Sequence, residues 1–431
     1  MRQKEDLLSG KSKICVFGTG YIGLNTMIFY AVEGVYSVGV DIDERKVELI
    51  RQGEIMPELK RWLGFDVKPL LSEFVDVTTD WRKAVNDPTV KVFFIAVPTE
   101  RGSEPWFAPL IDVVDKISVR RDNPLVIIES TVSPGTVDKY VLPKLKRVAV
   151  CPRRDWFGFS DNTKNLRNLV RIVGGASEET TERAVDALSI VCDHLLPCSY
   201  KEAEIVKAVE NSLRHICCVY AQELALAYPD IDIRKALALA GTKFNIEEYY
   251  PSLLGVGGYC INLSSKYILE GATHPEYLTI SKSVIGRDDN VASEIARVLN
   301  NTEGKIGILG LSYMGNIKVH ILSGCIRLLP FVKDKSRVYV NDPLYTDDEI
   351  QQITECKSFK FPDDLDNFDV VILASGHDLY KHASRTLLIE KTRNCKFVFD
   401  NVGTWQGIPF NCKYYLAGSQ PNIFEEADGE K

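Results

Sequence analysis

A single cysteine closes the glycine-rich stretch Gly255-Val256-Gly257-Gly258-Tyr259-Cys260, and a thiol set there can act as a nucleophile. Three glycines in four positions remove the Cβ atoms that would hold a ligand away, and they open dihedrals closed to other residues. The competing reading is a structural cysteine packed beside a turn, because free cysteine is among the most buried residue types. A second constellation is Glu204, Lys207 and Asn211. Spacings of three and four place these groups on one side of a helix, where they offer an acid, a cation and an amide.

Such groups need elements to hold them. Lys13 to Phe17 is a short apolar run, followed at once by Gly18-Thr19-Gly20-Tyr21-Ile22-Gly23 and a helical pattern. A second apolar run, Val35 to Val40, ends on Asp41, at the spacing of a dinucleotide-binding βαβ unit. In such a unit Gly18 allows the tight turn, Gly20 lets backbone reach the pyrophosphate, and Gly23 lets helix pack on strand. Tyr21 and Ile22 open the helix whose N–H groups face the phosphates. Asp41 can accept from both ribose hydroxyls and would repel a 2′-phosphate, which favours NAD over NADP. Val90 to Val97 and Leu125 to Ile128 read as strands buried on both faces of a parallel sheet. Thr99, Glu129 and Thr131 follow their ends, where ligands sit in such sheets.

From Glu202 to about Tyr228 the apolar residues Ile205, Val209, Leu213, Ile216, Tyr220 and Leu224 recur at helical spacing. The pattern predicts a long helix with a core-facing stripe, of the length that links domains and builds a dimer seam. A second α/β cycle starts at Lys305 to Leu309 and continues through Arg337 to Val340, Phe368 to Ala374 and Lys396 to Phe399. His377, after one of these runs, reads as structural. The expected fold class is α/β: two Rossmann-like doubly wound parallel-sheet domains joined by a central helical domain with a long helix. The expected boundaries are 1–200 for cofactor binding, 201–298 for the helical dimerisation domain and 299–431 for the second Rossmann-like domain. Gln420 to Lys431 is polar and acidic and is expected to fray.

A net charge of −7 over 431 residues gives no basic excess of the kind that announces nucleic-acid binding. No apolar run reaches the roughly 20 residues needed to span a bilayer. Eleven cysteines lie without a framework or zinc-site spacing, and Met1 to Asp6 lacks the apolar core of a signal peptide. These features predict a cytoplasmic protein without metal or membrane insertion.

Taken in order, Gly18-Thr19-Gly20-Tyr21-Ile22-Gly23-Leu24, Asp41-Ile42-Asp43, Ala96-Val97-Pro98-Thr99, Glu129-Ser130-Thr131-Val132, Pro134-Gly135-Thr136, Ala203-Glu204 with Lys207 and Asn211, the Cys260 turn and Gly310-Leu311-Ser312-Tyr313 resemble the UDP-glucose and GDP-mannose dehydrogenase family. The resemblance runs from about Lys13 to Trp405. It implies that NAD oxidises carbon 6 of a nucleotide sugar twice, with Cys260 attacking the intermediate aldehyde. It further implies that Lys207 and Asn211 stabilise oxyanions and that Thr131 positions water. The third domain would hold the nucleotide diphosphate, and the long helix would build a homodimer. Tyr249, Gly257, Gly258 and Tyr313 are the expected substrate contacts.

The chain departs from the family pattern at four positions. Arg153 follows Cys151-Pro152 where the family has a glutamate, and its charge could clamp a substrate anion. Ser264 stands in place of an aspartate, and Met314 and Ile321 in place of two cations, for which Lys318 and Arg327 are candidate substitutes. Losing a general base typically costs 10²–10⁴-fold. Two alternatives therefore accompany the ordinary dehydrogenase: a homologue that stops at the aldehyde or passes the acyl group to another nucleophile, and a non-catalytic nucleotide-sugar binder.

Overall fold

Apolar runs followed by glycine or polar turns become the strands of two parallel sheets. The computed structural model describes residues 2–155 and 163–424. They fall into two units, Met1–Glu210 with Tyr267–Pro275 and Asn211–Lys266 with Glu276–Lys431.

The first unit holds strands β1 (Lys13–Phe17), β2 (Ser37–Val40), β3 (Val75–Thr78), β4 (Val90–Ile95), β5 (Leu125–Ile128), β6 (Val148–Val150), β7 (Arg171–Gly175) and β8 (Leu195–Ser199). Their order is β8-β7-β6-β5-β4-β1-β2-β3. All pairs are parallel except β6 with β7. Every residue of β2, β5 and β6 is buried, as expected for a sheet covered on both faces. The order reverses between β1 and β4, and ligands bind beyond the carboxyl ends of strands at such a switch point. Helix α1 (Tyr21–Val32) leaves the glycine turn there.

The second unit repeats the plan. Strands β9 (Ile306–Leu309), β10 (Val338–Asn341), β11 (Lys357–Ser358), β12 (Val370–Leu373), β13 (Phe397–Asp400) and β14 (Lys413–Leu416) lie in the order β11-β10-β9-β12-β13-β14, all parallel. The switch falls between β9 and β12. Between the two sets of strands in sequence come helices α2 (Tyr200–Ala227), α3 (Ile233–Ala240), α4 (Tyr259–Glu270), α5 (Thr279–Asn290) and α6 (Ala292–Asn300). The mixed α/β fold with two Rossmann-like sheets and a helical middle is the one expected.

Two expectations need correction. Most of the stripe on α2 does not face a core: Ile205, Val209, Leu213 and Tyr220 are 40%, 37%, 57% and 58% exposed, while Ile216 is half-buried and Leu224 alone of the six packs against the core of the second unit. The buried side is instead Ala203, Glu204, Ala208, Asn211, Ser212, His215, Val219, Ala221, Gln222 and Ala225, polar enough that hydropathy alone does not reveal it. At the C-terminus, Ile423 and Phe424 are buried and the Gln420 amide donates to the Pro229 carbonyl. The chain is therefore packed through residue 424, and residues 425–431 lie outside the described ones.

Candidate functional site

In the first unit the glycine turn has the geometry of a dinucleotide cradle. Gly18 has φ +89°, and a Cβ there would stand 2.4 Å from the Ala96 carbonyl oxygen. A Cβ on Gly23 would lie 1.9 Å from the Gly18 carbonyl oxygen, whereas one on Gly20 would meet nothing within 4 Å. Two glycines are thus demanded by packing, and the third leaves open space beside the start of α1. Gly20 caps that helix without a side-chain hydrogen bond, and the N-terminus of such a helix favours an anion. The Tyr21 hydroxyl donates to Glu58 at 3.0 Å.

Asp41, at the end of β2, accepts from the Thr19 N–H (2.8 Å) and hydroxyl (3.0 Å) through Oδ2 and from the Asp43 N–H (3.0 Å) through Oδ1. A carboxylate offers about four acceptor positions, so one, on Oδ1, remains for a single ribose hydroxyl rather than the two expected, and Lys46 Nζ lies 3.8 Å from Oδ2. These residues fit NAD, which supplies the hydride acceptor when bound.

Beyond β4 and β5, Thr99 donates to the Thr131 carbonyl at 2.6 Å and lies 3.0 Å from the Tyr267 hydroxyl. Glu204 accepts from the N–H groups of Gly135 (3.0 Å) and Val137 (2.8 Å), fixing the segment after Thr131. Burial raises the Glu204 carboxyl above its ordinary value. Lys207 lies 3.9 Å from Glu210, which also pairs with Arg154 at 2.7 Å. Glu210 was not among the residues expected at the site.

Glu129 and Arg153 do not face a ligand. Glu129 is 2% exposed and accepts from Thr26 (2.6 Å) and Arg171 (2.7 Å). Arg153 is 4% exposed. Its guanidinium donates to Asp155, to Thr26 (2.6 Å), to Asn25 (2.5 Å) and to the Ile22 carbonyl (3.2 Å), and it lies 3.6 Å from Glu129. The reason is electrostatic: two buried carboxylates hold two buried guanidinium groups, and turning Arg153 outward would strand them. The expected anion clamp is a brace beneath α1.

The second unit carries Cys260 in the first turn of α4. Of eleven cysteines it is the one classed as exposed. Burial pushes Cys151 and Cys395 up to about 12 and Cys218 up to about 11, and raises Cys192, Cys198, Cys356 and Cys412 as well. Asn211 donates its amide to the Cys260 carbonyl at 3.1 Å. Ser264 donates to the same carbonyl at 2.6 Å.

The glycines of the turn make room for the protein's own side chains. A Cβ on Gly255 would lie 2.7 Å from Arg327 Cδ, and Cβ atoms on Gly257 and Gly258 would lie 2.9 and 3.0 Å from Tyr313. Close approach of substrate is not what requires them. Tyr249 donates to Glu247 at 2.7 Å. Lys318 pairs with Glu349 at 2.7 Å and stays exposed, whereas Arg327 is buried among Asp288, Asp289 and Asn262 and is no phosphate ligand.

Two Rossmann-like sheets, the first with a glycine cradle and a ribose acid, define the class of two-domain NAD-dependent oxidoreductases. Family models agree: the NAD binding domain of the UDP-glucose/GDP-mannose dehydrogenase family matches residues 12–189, and the central domain of that family matches residues 201–285. The chain belongs to the UDP-glucose/GDP-mannose dehydrogenase family and is a nucleotide-sugar dehydrogenase-like oxidoreductase. It is 28% identical to a UDP-N-acetyl-D-mannosamine dehydrogenase of Methanococcus vannielii over 93% of this chain and 96% of that one. Two solved structures share the fold. A UDP-D-ManNAc dehydrogenase from Pyrococcus horikoshii has a TM-score of 0.79 at 24% identity, covering 94% of this chain and 99% of that one. A UDP-glucose dehydrogenase from Pyrobaculum islandicum has a TM-score of 0.78 at 22% identity, covering 95% and 98%.

Proposed function

We propose that this protein oxidises a UDP-sugar twice at carbon 6, with UDP-N-acetyl-D-mannosamine the first substrate to try, and that Cys260 carries the intermediate. The observation behind this reading is the exposed Cys260 in a helix first turn, in a chain whose full-length relatives include UDP-N-acetyl-D-mannosamine dehydrogenases. Bound NAD takes the hydride in each oxidation. The alcohol loses a hydride and a proton to become an aldehyde, and the Cys260 thiolate adds to the aldehyde carbon. Loss of a second hydride from that adduct leaves a thioester, and water opens it to a carboxylate and the free thiol. Two NAD molecules are consumed per sugar.

Resemblance to the family assigns the oxyanions to Lys207 and Asn211 and the water to Thr131. It assigns cofactor contacts to Gly18, Gly20, Tyr21, Ile22, Gly23, Asp41 and Thr99, and substrate contacts to Tyr249, Gly257, Gly258 and Tyr313. In this reading residues 1–200 bind NAD, 201–298 dimerise through the exposed stripe of α2, and 299–431 bind the nucleotide. In this reading the protein works in a reducing cytoplasm; no helix among the described residues is long and apolar enough to cross a membrane.

A second reading stops at the aldehyde or passes the acyl group elsewhere. It is favoured by Arg153, which supplies a buried cation where the family has an acid, and by Ser264, whose hydroxyl is spent on the Cys260 carbonyl. Incubation with NAD and a panel of UDP-, GDP- and TDP-sugars separates the readings. Two NADH per sugar with a uronic acid supports the first, and one NADH with an aldehyde, or an acyl adduct persisting on Cys260, supports the second. Binding without NADH from any sugar sinks both. Cys260→Ser should abolish acid formation and leave at most the aldehyde.

A further inference from the structure

The turn before Cys260 is held by a buried polar network that ends on one carboxylate. Asp288, on α5, is 1% exposed. Its Oδ1 accepts from the Val256 N–H at 2.9 Å and from the Gln222 amide at 3.0 Å. Its Oδ2 accepts from Arg327 Nη2 at 2.8 Å, with His215 Nε2 at 3.3 Å. Burial pushes the carboxyl up, but His215 and Arg327 more than reverse that, and it lies below its ordinary value.

Arg327 extends the hold. Its Nη2 also donates to Asn262 Oδ1 at 2.7 Å, and the Asn262 amide nitrogen donates to the carbonyls of Val256 (2.6 Å) and Gly258 (3.0 Å). Arg327 Nε donates to the Leu322 carbonyl at 3.3 Å. Leu322 has φ +53°, a left-handed conformation that costs a non-glycine residue about 1–3 kcal/mol. The neighbouring Ile321 carbonyl receives the Gly258 N–H at 3.1 Å. Each of these backbone bonds to Val256 and Gly258 therefore comes from Asp288, from Asn262 or from the turn that Arg327 holds. Gly255 has no Cβ where Arg327 passes.

We propose that Asp288, Arg327 and Asn262 are positioning residues that hold Cys260 in reactive placement, acting through the backbone of Val256 and Gly258. The inference rests on the reading of Cys260 as nucleophile. Gly258 immediately precedes α4, so freeing its carbonyl frays the turn that carries the thiol. Aligned N–H groups at a helix start favour a thiolate, so fraying slows the reactions of Cys260.

The test uses the full chain and the variants Asn262→Ala and Arg327→Lys. Asn262→Ala keeps the buried ion pair and so carries the test if Arg327→Lys does not fold. Alkylation by iodoacetamide at neutral pH is followed peptide by peptide, with Cys217 as internal reference. Cys260 should react roughly fivefold more slowly, the equivalent of about one hydrogen bond, while Cys217 keeps its wild-type rate. In turnover with a UDP-sugar, hydroxylamine should trap more aldehyde while the first NADH forms at the wild-type rate. Unchanged alkylation of Cys260, or a parallel fall at Cys217, overturns the proposal. If Cys260→Ser still makes the uronic acid, the nucleophile reading fails by itself, and the alkylation rates still decide whether the network positions the thiol.

Discussion

Arg153 shares one guanidinium among Asp155, Glu129, Thr26, Asn25 and the Ile22 carbonyl. Removing one partner of a buried ion pair costs about 3–5 kcal/mol, so Arg153→Ala should lose about that much in urea unfolding at neutral pH. The acid dependence follows from Asp155. Burial raises its carboxyl, but Arg153 more than offsets this and leaves it below 3.8. Stability from the pair is then fully present above that value and is lost as pH falls through the lower folded one. The gap between wild type and Arg153→Ala should narrow on acidification, and urea midpoints at pH 7 and near pH 3 would check it. A constant gap would mean that Asp155 is not the linked group. The substitution itself was legible as a departure from the family. Its orientation was not, because Thr26 and Glu129 reach Arg153 only through the folding of the sheet.

Among the elements, the cofactor turn was the most legible, since strand, glycines, helix and acid lie consecutively in sequence. The structure separates the glycines by role. Gly23→Ala would drive a Cβ against the Gly18 carbonyl and should destabilise by about 1–3 kcal/mol. Gly20→Ala meets only open space and should leave the melting temperature nearly unchanged while weakening NAD about tenfold or more, or about 1.4 kcal/mol. Calorimetry with NAD checks both variants, and equal affinity in Gly20→Ala would remove Gly20 from the cradle. The long helix was legible in extent but misread in direction. Periodicity marks a face without saying what covers it, and on α2 the exposed face is the apolar one. Leu213→Glu should cost the folded chain no more than about 0.5 kcal/mol, yet convert the proposed dimer to monomer in sedimentation. A dimer that survives would place the seam elsewhere.

Over the whole molecule, two sheets that share the order of their first six strands set up a comparison that neither sheet allows alone. Asp342 ends the second strand of the second sheet as Asp41 ends that of the first. Its Oδ2 takes the N–H groups of Leu311 (2.9 Å) and Ser312 (2.7 Å) and also His377 Nε2 (3.0 Å), a partner with no counterpart at Asp41, while its Oδ1 takes the Leu344 N–H (2.9 Å). The Asn316 N–H reaches His377 Nδ1 at 3.1 Å, which leaves the ring proton on Nε2 for Asp342. His377 was read as structural from sequence, and this is the structure it serves. NAD titrated into the protein should saturate at one molecule per chain, and a second molecule bound with similar affinity would contradict the comparison. The chain therefore holds two seats of the same make, the second crossed by a histidine that the first lacks. A fold used twice can in this way keep the appetite of its first copy out of its second, which leaves the second sheet free to specialise in another guest.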